Sequence, residues 1–247
     1  MEWEAPGIVL EARPYGEADA IACVFTAEHG AHRGLARGGL ARGRAAIWQP
    51  GNFLQARWVG RLAEQLGVFS AELVHPTAAL AMEDPLALAM LGAACAVAEG
   101  ALPEREAHPR VFDGLLHLLA RLPRGAEMLA PLIRWEAVLL ADLGYGLDLS
   151  RCAVTGTAER LVWVSPKTGR AVSEEAAGVW KSRLLRLPPL LTTDERGDAA
   201  DWRDGLRLTG HFLARDAFGL HHKPLPAARQ ALYDRVALMA EADSHAG

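Results

Sequence analysis

Between Glu28 and Glu64 the chain carries no acidic residue, yet the stretch holds six arginines (Arg33, Arg37, Arg42, Arg44, Arg57 and Arg61) and seven glycines. Arginine's planar fork grips phosphate oxygens two at a time and stacks on flat rings. Glycine lets the backbone approach whatever the arginines hold. At the centre lies an internal repeat, Leu35-Ala36-Arg37-Gly38 followed by Leu40-Ala41-Arg42-Gly43, with Arg44 next and Trp48 four residues on. An indole beside such a loop is a platform for stacking a base. Contacts of this kind follow a phosphate backbone without reading sequence, and they weaken as salt rises. The same residues also suit a solvated loop joining two strands. Trp58 reads as barrel core, so Trp48 is the stacking candidate.

The rest of the chain is acidic, with a formal net charge of −4, so positive charge is sorted into one place. Arginine outnumbers lysine 23 to 3 throughout, so position carries the argument and arginine content does not. Positioning these side chains calls for strands. Alternating or β-rich runs separated by glycine turns predict five of them, at 8–13, 19–26, 32–37, 51–59 and 65–74. Five short strands with one long glycine-rich loop suggest a small barrel of the oligonucleotide-binding kind. After Pro76 the period becomes helical, with helices expected at 83–99, 109–122, 127–143, 202–218 and 227–242. A hairpin-like insert at 151–172 turns at Ser165-Pro166-Lys167-Thr168-Gly169. The expectation is an α+β chain: an N-terminal barrel domain at 1–77 and a mostly helical domain at 78–247 that carries the insert.

Catalytic signatures are missing. No phosphate-binding Gly-Lys-Ser or Gly-Lys-Thr loop, Gly-x-Ser-x-Gly elbow, His-Glu-x-x-His pair or three-glycine dinucleotide fingerprint occurs. His221 and His222 are adjacent, which on an extended segment points them apart, and they lack nearby ligands. Glu83-Asp84 and Glu174-Glu175 sit where helices begin and suit the helix dipole. Cys23, Cys95 and Cys152 are far apart and read as reduced thiols. The start Met-Glu-Trp-Glu lacks the basic and apolar regions of a secretory signal. The longest apolar run, 86–98, is broken by Gly92 and falls short of the roughly 18 residues that span a bilayer. A cytoplasmic protein without a membrane partner is expected.

At this point the residues resemble a family. Tyr15-Gly16-Glu17-Ala18-Asp19, Phe25-Thr26 with His29-Gly30, Ala36-Arg37-Gly38, Gln49-Pro50-Gly51-Asn52, the 139–144 segment with Gly146-Leu147-Asp148-Leu149, and Leu225-Pro226-Ala227-Ala228-Arg229 are similar to the RecO family of bacterial recombination mediators, over about 5–232. The resemblance implies a non-catalytic DNA repair and recombination factor without a cofactor, acting at the nucleoid during repair. It would bind single- and double-stranded DNA, anneal complementary strands and, with RecR, help load RecA onto strands coated by single-strand-binding protein. By position, Arg33, Arg37, Arg42, Arg44, Arg57 and Arg61, with Trp48, would form the DNA-binding face. The acidic tail of single-strand-binding protein would dock on the helical domain, where Arg121, Arg134 and Lys223 are available for a basic rim. One departure stands out. Many members carry paired Cys-x-x-Cys motifs in the insert, whereas this chain keeps only Cys152 there, so a metal-free insert packed by Val162, Trp163 and Val164 is expected. The rival reading is an adaptor whose basic barrel face binds an acidic protein partner instead of DNA.

Overall fold

The computed structural model describes residues 1–61 and 65–246. Contacts divide the chain into two compact units, Met1–Ala126 and Glu127–Gly247. The first five strands end just before Pro76, where the sequence period changes, but the first compact unit continues through the next three helices.

The first unit opens with five strands, β1 (Glu2–Tyr15), β2 (Asp19–Thr26), β3 (Gly30–Ala36), β4 (Phe53–Val59) and β5 (Gly67–His75). They close into a barrel in the order β1-β2-β3-β5-β4, with β4 returning to β1. β1 starts earlier than the expected position 8, because Glu2-Trp3-Glu4-Ala5 already alternates outward and inward. It pairs with β4 through its first half and with β2 through its second, with a register shift between Val9 and Glu11 that lets one strand serve both.

Closure rests on a short parallel pairing of β3 with β5, Gly34 opposite Gly67, Leu35 opposite Val68 and Ala36 opposite Phe69. Both glycines are sterically required there. A Cβ on Gly67 would lie 2.3 Å from the Trp58 ring, and one on Gly34 would lie 2.6 Å from the Phe69 ring. Val9, Val24, Leu54, Trp58 and Phe69 fill the interior. Three helices follow: α1 (Thr77–Ala81), α2 (Pro85–Ala101) and α3 (Pro109–Leu119). Asp84 caps α2 by accepting from the Leu86 amide at 2.8 Å, with Pro85 at the first helical position. α2 packs on β1 and α3 on β2, where Phe112 meets Phe25 edge-on at 5.5 Å.

The second unit is built on α4 (Leu129–Asp142), α6 (Ala199–Phe212) and α7 (Ala227–Ala246). Between α4 and α6 lie β6 (Leu161–Val164), β7 (Ala171–Ser173), the one-turn α5 (Glu174–Ala177) and β8 (Leu185–Arg186). The expected hairpin, β6 with β7, is therefore the central strand and one edge of a three-stranded sheet in the order β7-β6-β8. Val164 is fully buried and Trp163 packs on a small cluster of Cys152, Val172 and Ala177, while Val162 lines a groove. α6 begins at Ala199, ahead of the expected 202, because Asp198 and Asp201 form a reciprocal capping box. The six residues that follow α6, Leu213–Phe218, are π-helical.

Candidate nucleic-acid interface

The residues singled out for phosphate contact divide into two groups. Arg37, Arg42 and Arg44 stand exposed on the 37–52 connection between β3 and β4, and Arg61 is exposed just after β4. None of the four makes an ion pair among the described residues. Leu62, Ala63 and Glu64, at the end of the acid-free stretch, lie outside those residues.

Arg33 and Arg57 are already engaged. The Arg33 guanidinium meets Glu99 at the end of α2 and Glu104 just beyond it. It is a fastener between barrel and helix, which corrects the expectation of a free phosphate ligand. Its partners lie too far along the chain for any local reading to pair them. Arg57 meets Glu2 at 2.7 Å across the β1–β4 pairing, and this ion pair pulls the Glu2 carboxyl below its ordinary range. Arg57 remains half exposed, so its charge is shared with Glu2.

Trp48 is also corrected. It is only 6% exposed and packs in the barrel core against Phe69, ring centroids 6.1 Å apart. An indole exposes too much apolar surface to stay outside when the end of a barrel offers it a cover. Its role is to anchor the connection that carries the arginines.

That connection is pinned along its length. The Gly38 amide donates to Asp19 Oδ1 at 2.6 Å, and the Leu40 amide to the Ala18 carbonyl at 2.8 Å. Successive turn hydrogen bonds run from Gly39 to Ile47, and Arg44 Nη1 donates to the Arg37 carbonyl at 3.3 Å. Asn52, 1% exposed, donates to the carbonyls of Ala46 at 2.7 Å and Ile47 at 3.2 Å while accepting from the Ala78 amide at 3.1 Å. The arginines are thus held on a preformed platform, and ordering them on a ligand costs less entropy than ordering a free loop.

Beneath the β1 and β4 ends lies an aromatic group that composition alone does not reveal. His29 stacks on Trp3 at 4.5 Å, and His32 meets Trp58 at 4.6 Å and Trp3 at 5.4 Å, both edge-on. Both His32 ring nitrogens are buried without a hydrogen-bond partner among the described residues. Burial, with Arg105 and His29 close by, pushes its pKa down to about 4, so the ring is neutral near pH 7.

The three cations proposed for a tail-binding rim have different fates. Arg121 is exposed just past α3 in the first unit. It follows Ala120, which with Ile8, Phe53, Val74, Leu116 and Leu119 lines an apolar cavity of about 290 Å³. Arg134, in the second unit, is spent on the backbone, donating to the carbonyls of Leu190 at 2.7 Å, Thr193 at 3.1 Å and Glu195 at 2.5 Å. That corrects its assignment as a rim residue: it holds the chain after β8 in place. Lys223 is exposed in the same unit, following His222 with its left-handed φ of 53°.

In the insert, Cys152 is buried. Burial pushes its thiol up, but the Thr155 hydroxyl and the amides of Ser173, Thr155 and Val154 outweigh it and bring the pKa down to about 6. Among the described residues no group of three histidine, cysteine or acidic side chains is placed to hold a metal ion, and no helix is long and apolar enough to cross a membrane. Cys23 and Cys95 are buried, and burial pushes both thiols up to about 12.

Sequence reasoning missed one buried constellation. Arg229 on α7 is 1% exposed and grips Glu136 on α4 with two nitrogens, Nη2 to Oε2 at 2.9 Å and Nε to Oε1. Arg229 also donates to the Leu206 carbonyl at 2.8 Å, and the Thr209 hydroxyl of α6 donates to Glu136. Glu136 stands at the core-facing three-to-four spacing of its helix and Arg229 ends the Pro226-Ala227-Ala228-Arg229 segment, but neither signal gives a partner.

Residues 1–77 match the family described as Recombination protein O N terminal, and residues 82–226 match Recombination protein O C terminal. Proteins named DNA repair protein RecO are similar over nearly the whole chain. That of Granulibacter bethesdensis is 59% identical over 246 residues, covering 98% of both chains. That of Gluconacetobacter diazotrophicus is 60% identical over 242 residues, 96% of this chain and 95% of the relative. That of Acidiphilium cryptum is 57% identical over 250 residues, the full length of both. With both halves matched in order, and with a five-stranded barrel preceding a helical region, this chain belongs to the RecO family of DNA repair proteins.

Proposed function

We propose that this chain is a recombination mediator that binds single- and double-stranded DNA through its barrel, anneals complementary strands and, with RecR, helps load RecA onto strands coated by single-strand-binding protein. The observation that carries the reading is the platform of Arg37, Arg42 and Arg44, three exposed guanidiniums without ion pairs among the described residues, on a connection fixed by Asp19, Trp48 and Asn52. A cationic surface lowers the repulsion between two phosphate backbones, so two strands can approach and pair beside it. No covalent bond is made or broken in this scheme, and the work is done in the cytoplasm. Residues 1–77 act as the DNA-binding domain and 78–247 as the partner-binding domain.

The acidic, phenylalanine-ended tail of single-strand-binding protein would dock on the helical part where Leu116, Leu119 and Ala120, with Arg121 beside them, meet Ile8, Phe53 and Val74 of the barrel around an apolar cavity. Lys223 is a second cation free for an acidic partner.

The test is strand annealing by the triple variant Arg37→Glu, Arg42→Glu, Arg44→Glu. Loss of annealing with unchanged circular dichroism is the expected result, and annealing at the wild-type rate by the folded variant overturns the reading. The barrel's own use of carboxylates, Glu99 and Glu104 on Arg33 and Glu2 on Arg57, favours one alternative, an adaptor for acidic protein surfaces. Under that alternative, excess oligonucleotide fails to displace the partner.

A further inference from the structure

A second acid-free stretch runs between Glu175 and Asp194, and it carries Lys181, Arg183 and Arg186. Its first part, the 3₁₀ turn Gly178–Arg183, presents apolar side chains to solvent where a stable fold would hide them. Val179 is 89% exposed and Trp180 58% exposed. The surrounding cations are arranged on rings. Arg183 lies over the Trp180 ring at 5.2 Å, while Lys181 and Arg186 lie over the Trp163 ring at 5.2 Å and 5.0 Å. Lys181 also meets Glu174 at 2.8 Å, and the Trp163 indole donates to the same carboxylate at 3.0 Å, so the rings and cations share one fixed frame. Arg183 and Arg186 make no ion pair among the described residues, and nearby Glu175 is taken by Arg160 at 2.6 Å. Arg186 continues into a groove of about 620 Å³ that Arg160, Ser150 and Thr192 also line, with Asp201 the one acid on its wall.

We propose that this turn and the adjoining sheet form a second contact surface for single-stranded nucleic acid, with Trp180 stacking a base and Lys181, Arg183 and Arg186 neutralising phosphates. An exposed indole backed by a guanidinium keeps a flat face open to a base, and every base has such a face. Lys181, Arg183 and Arg186 outnumber Glu174, with Glu175 already held by Arg160, and so give the positive charge that a phosphate chain requires, while Trp180 adds the ring that an acidic surface would not use. The inference rests on reading this chain as a nucleic-acid protein, but it uses residues of a different unit from the arginine platform, so the two fail separately.

The experiment measures full-length protein against fluorescein-labelled oligothymidylate by anisotropy, with inorganic polyphosphate as a competitor that offers charge without bases. Trp180→Ala weakens oligothymidylate binding about tenfold, as loss of one stacked base implies, and Trp180→Phe restores most of it. Competition by polyphosphate is unchanged in Trp180→Ala and reduced in the Lys181→Glu, Arg183→Glu variant. Because Trp180 is exposed, the fold survives these changes, which circular dichroism checks. Wild-type affinity in Trp180→Ala overturns the second surface. An altered sedimentation coefficient with unaltered oligonucleotide affinity also overturns it, assigning the turn to contact between copies of the chain. Loss of binding in the Arg37, Arg42, Arg44 variant alone leaves the platform standing without this surface, and loss in Trp180→Ala alone does the reverse. Absence of any wild-type binding overturns both.

Discussion

Arg229 shows how a charged residue with nothing exposed to bind can still matter. A guanidinium buried to 1% exposure survives because Glu136, Thr209 and the Leu206 carbonyl satisfy its donors. Removing one partner strands the other charge in a low-dielectric interior, which costs about 3–5 kcal/mol. Arg229→Met therefore lowers the urea midpoint steeply, and adding Glu136→Leu recovers much of the loss, since no unpaired charge remains. Failure of the double variant to recover would show that the helices depend on the pair's geometry and not only on its neutrality. His32 makes a different contribution, tied to pH. Its ring is neutral in the fold with a pKa of about 4, against an ordinary value of 6.5 in the unfolded chain. Above pH 6.5 both states are neutral and the residue has no pH effect. As pH falls from 6.5 towards 4, the unfolded chain takes up a proton that the fold refuses, so stability drops by on the order of 3 kcal/mol. In His32→Phe the difference in stability between pH 7 and pH 4.5 should shrink by that order, as read from urea midpoints at the two values.

At the scale of elements, the β3–β4 connection sets the usefulness of the arginines. Asn52, itself buried, holds it from beneath with two donated bonds that are partly buried and one accepted bond that is buried. Asn52→Ala leaves the Ala46 and Ile47 carbonyls and the Ala78 amide without these partners. It should cost about 1–3 kcal/mol in unfolding free energy, and it should raise amide exchange through 38–47 more than elsewhere in the barrel. Uniform exchange would mean that Trp48 alone fixes the connection. The sequence made the strands legible because their alternation is local: Leu54, Ala56 and Trp58 face inward as their spacing implied. The exposure of Arg37, Arg42 and Arg44 was legible too, since charged side chains on a glycine-rich connection stay in water. Trp48 was misread because a platform and a plug have the same local spacing, and only the open end of the barrel decides between them. The partners of Arg33, Glu99 and Glu104, and the pairing of Arg229 with Glu136, depend on tertiary contact across 66 to 93 residues, for which composition and period carry no signal. The third strand of the insert, two residues long, is too short to leave a period at all.

Over the whole molecule the decisive property is how charge is sorted. The chain is net negative at −4, so its long-range field does not draw DNA in, and attraction must come from surfaces where acids are absent. Salt dependence measures how many cations such a surface commits. Each phosphate neutralised on a single strand contributes about −0.7 to the slope of log K against log salt. The four barrel arginines without ion pairs among the described residues, Arg37, Arg42, Arg44 and Arg61, give a slope of about −3, and engagement of Lys181, Arg183 and Arg186 as well moves it to about −5. Arg33 adds nothing to this count, since Glu99 and Glu104 already neutralise it. Reversing Arg37, Arg42 and Arg44 should therefore flatten the wild-type slope by about 2, while reversing Arg33 destabilises the fold and leaves the slope of the remaining folded protein almost unchanged. Anisotropy of a labelled oligonucleotide titrated across low to moderate salt reads these slopes directly. A slope that Arg33 controls and the loop arginines do not would move the interface from the β3–β4 connection to the barrel wall.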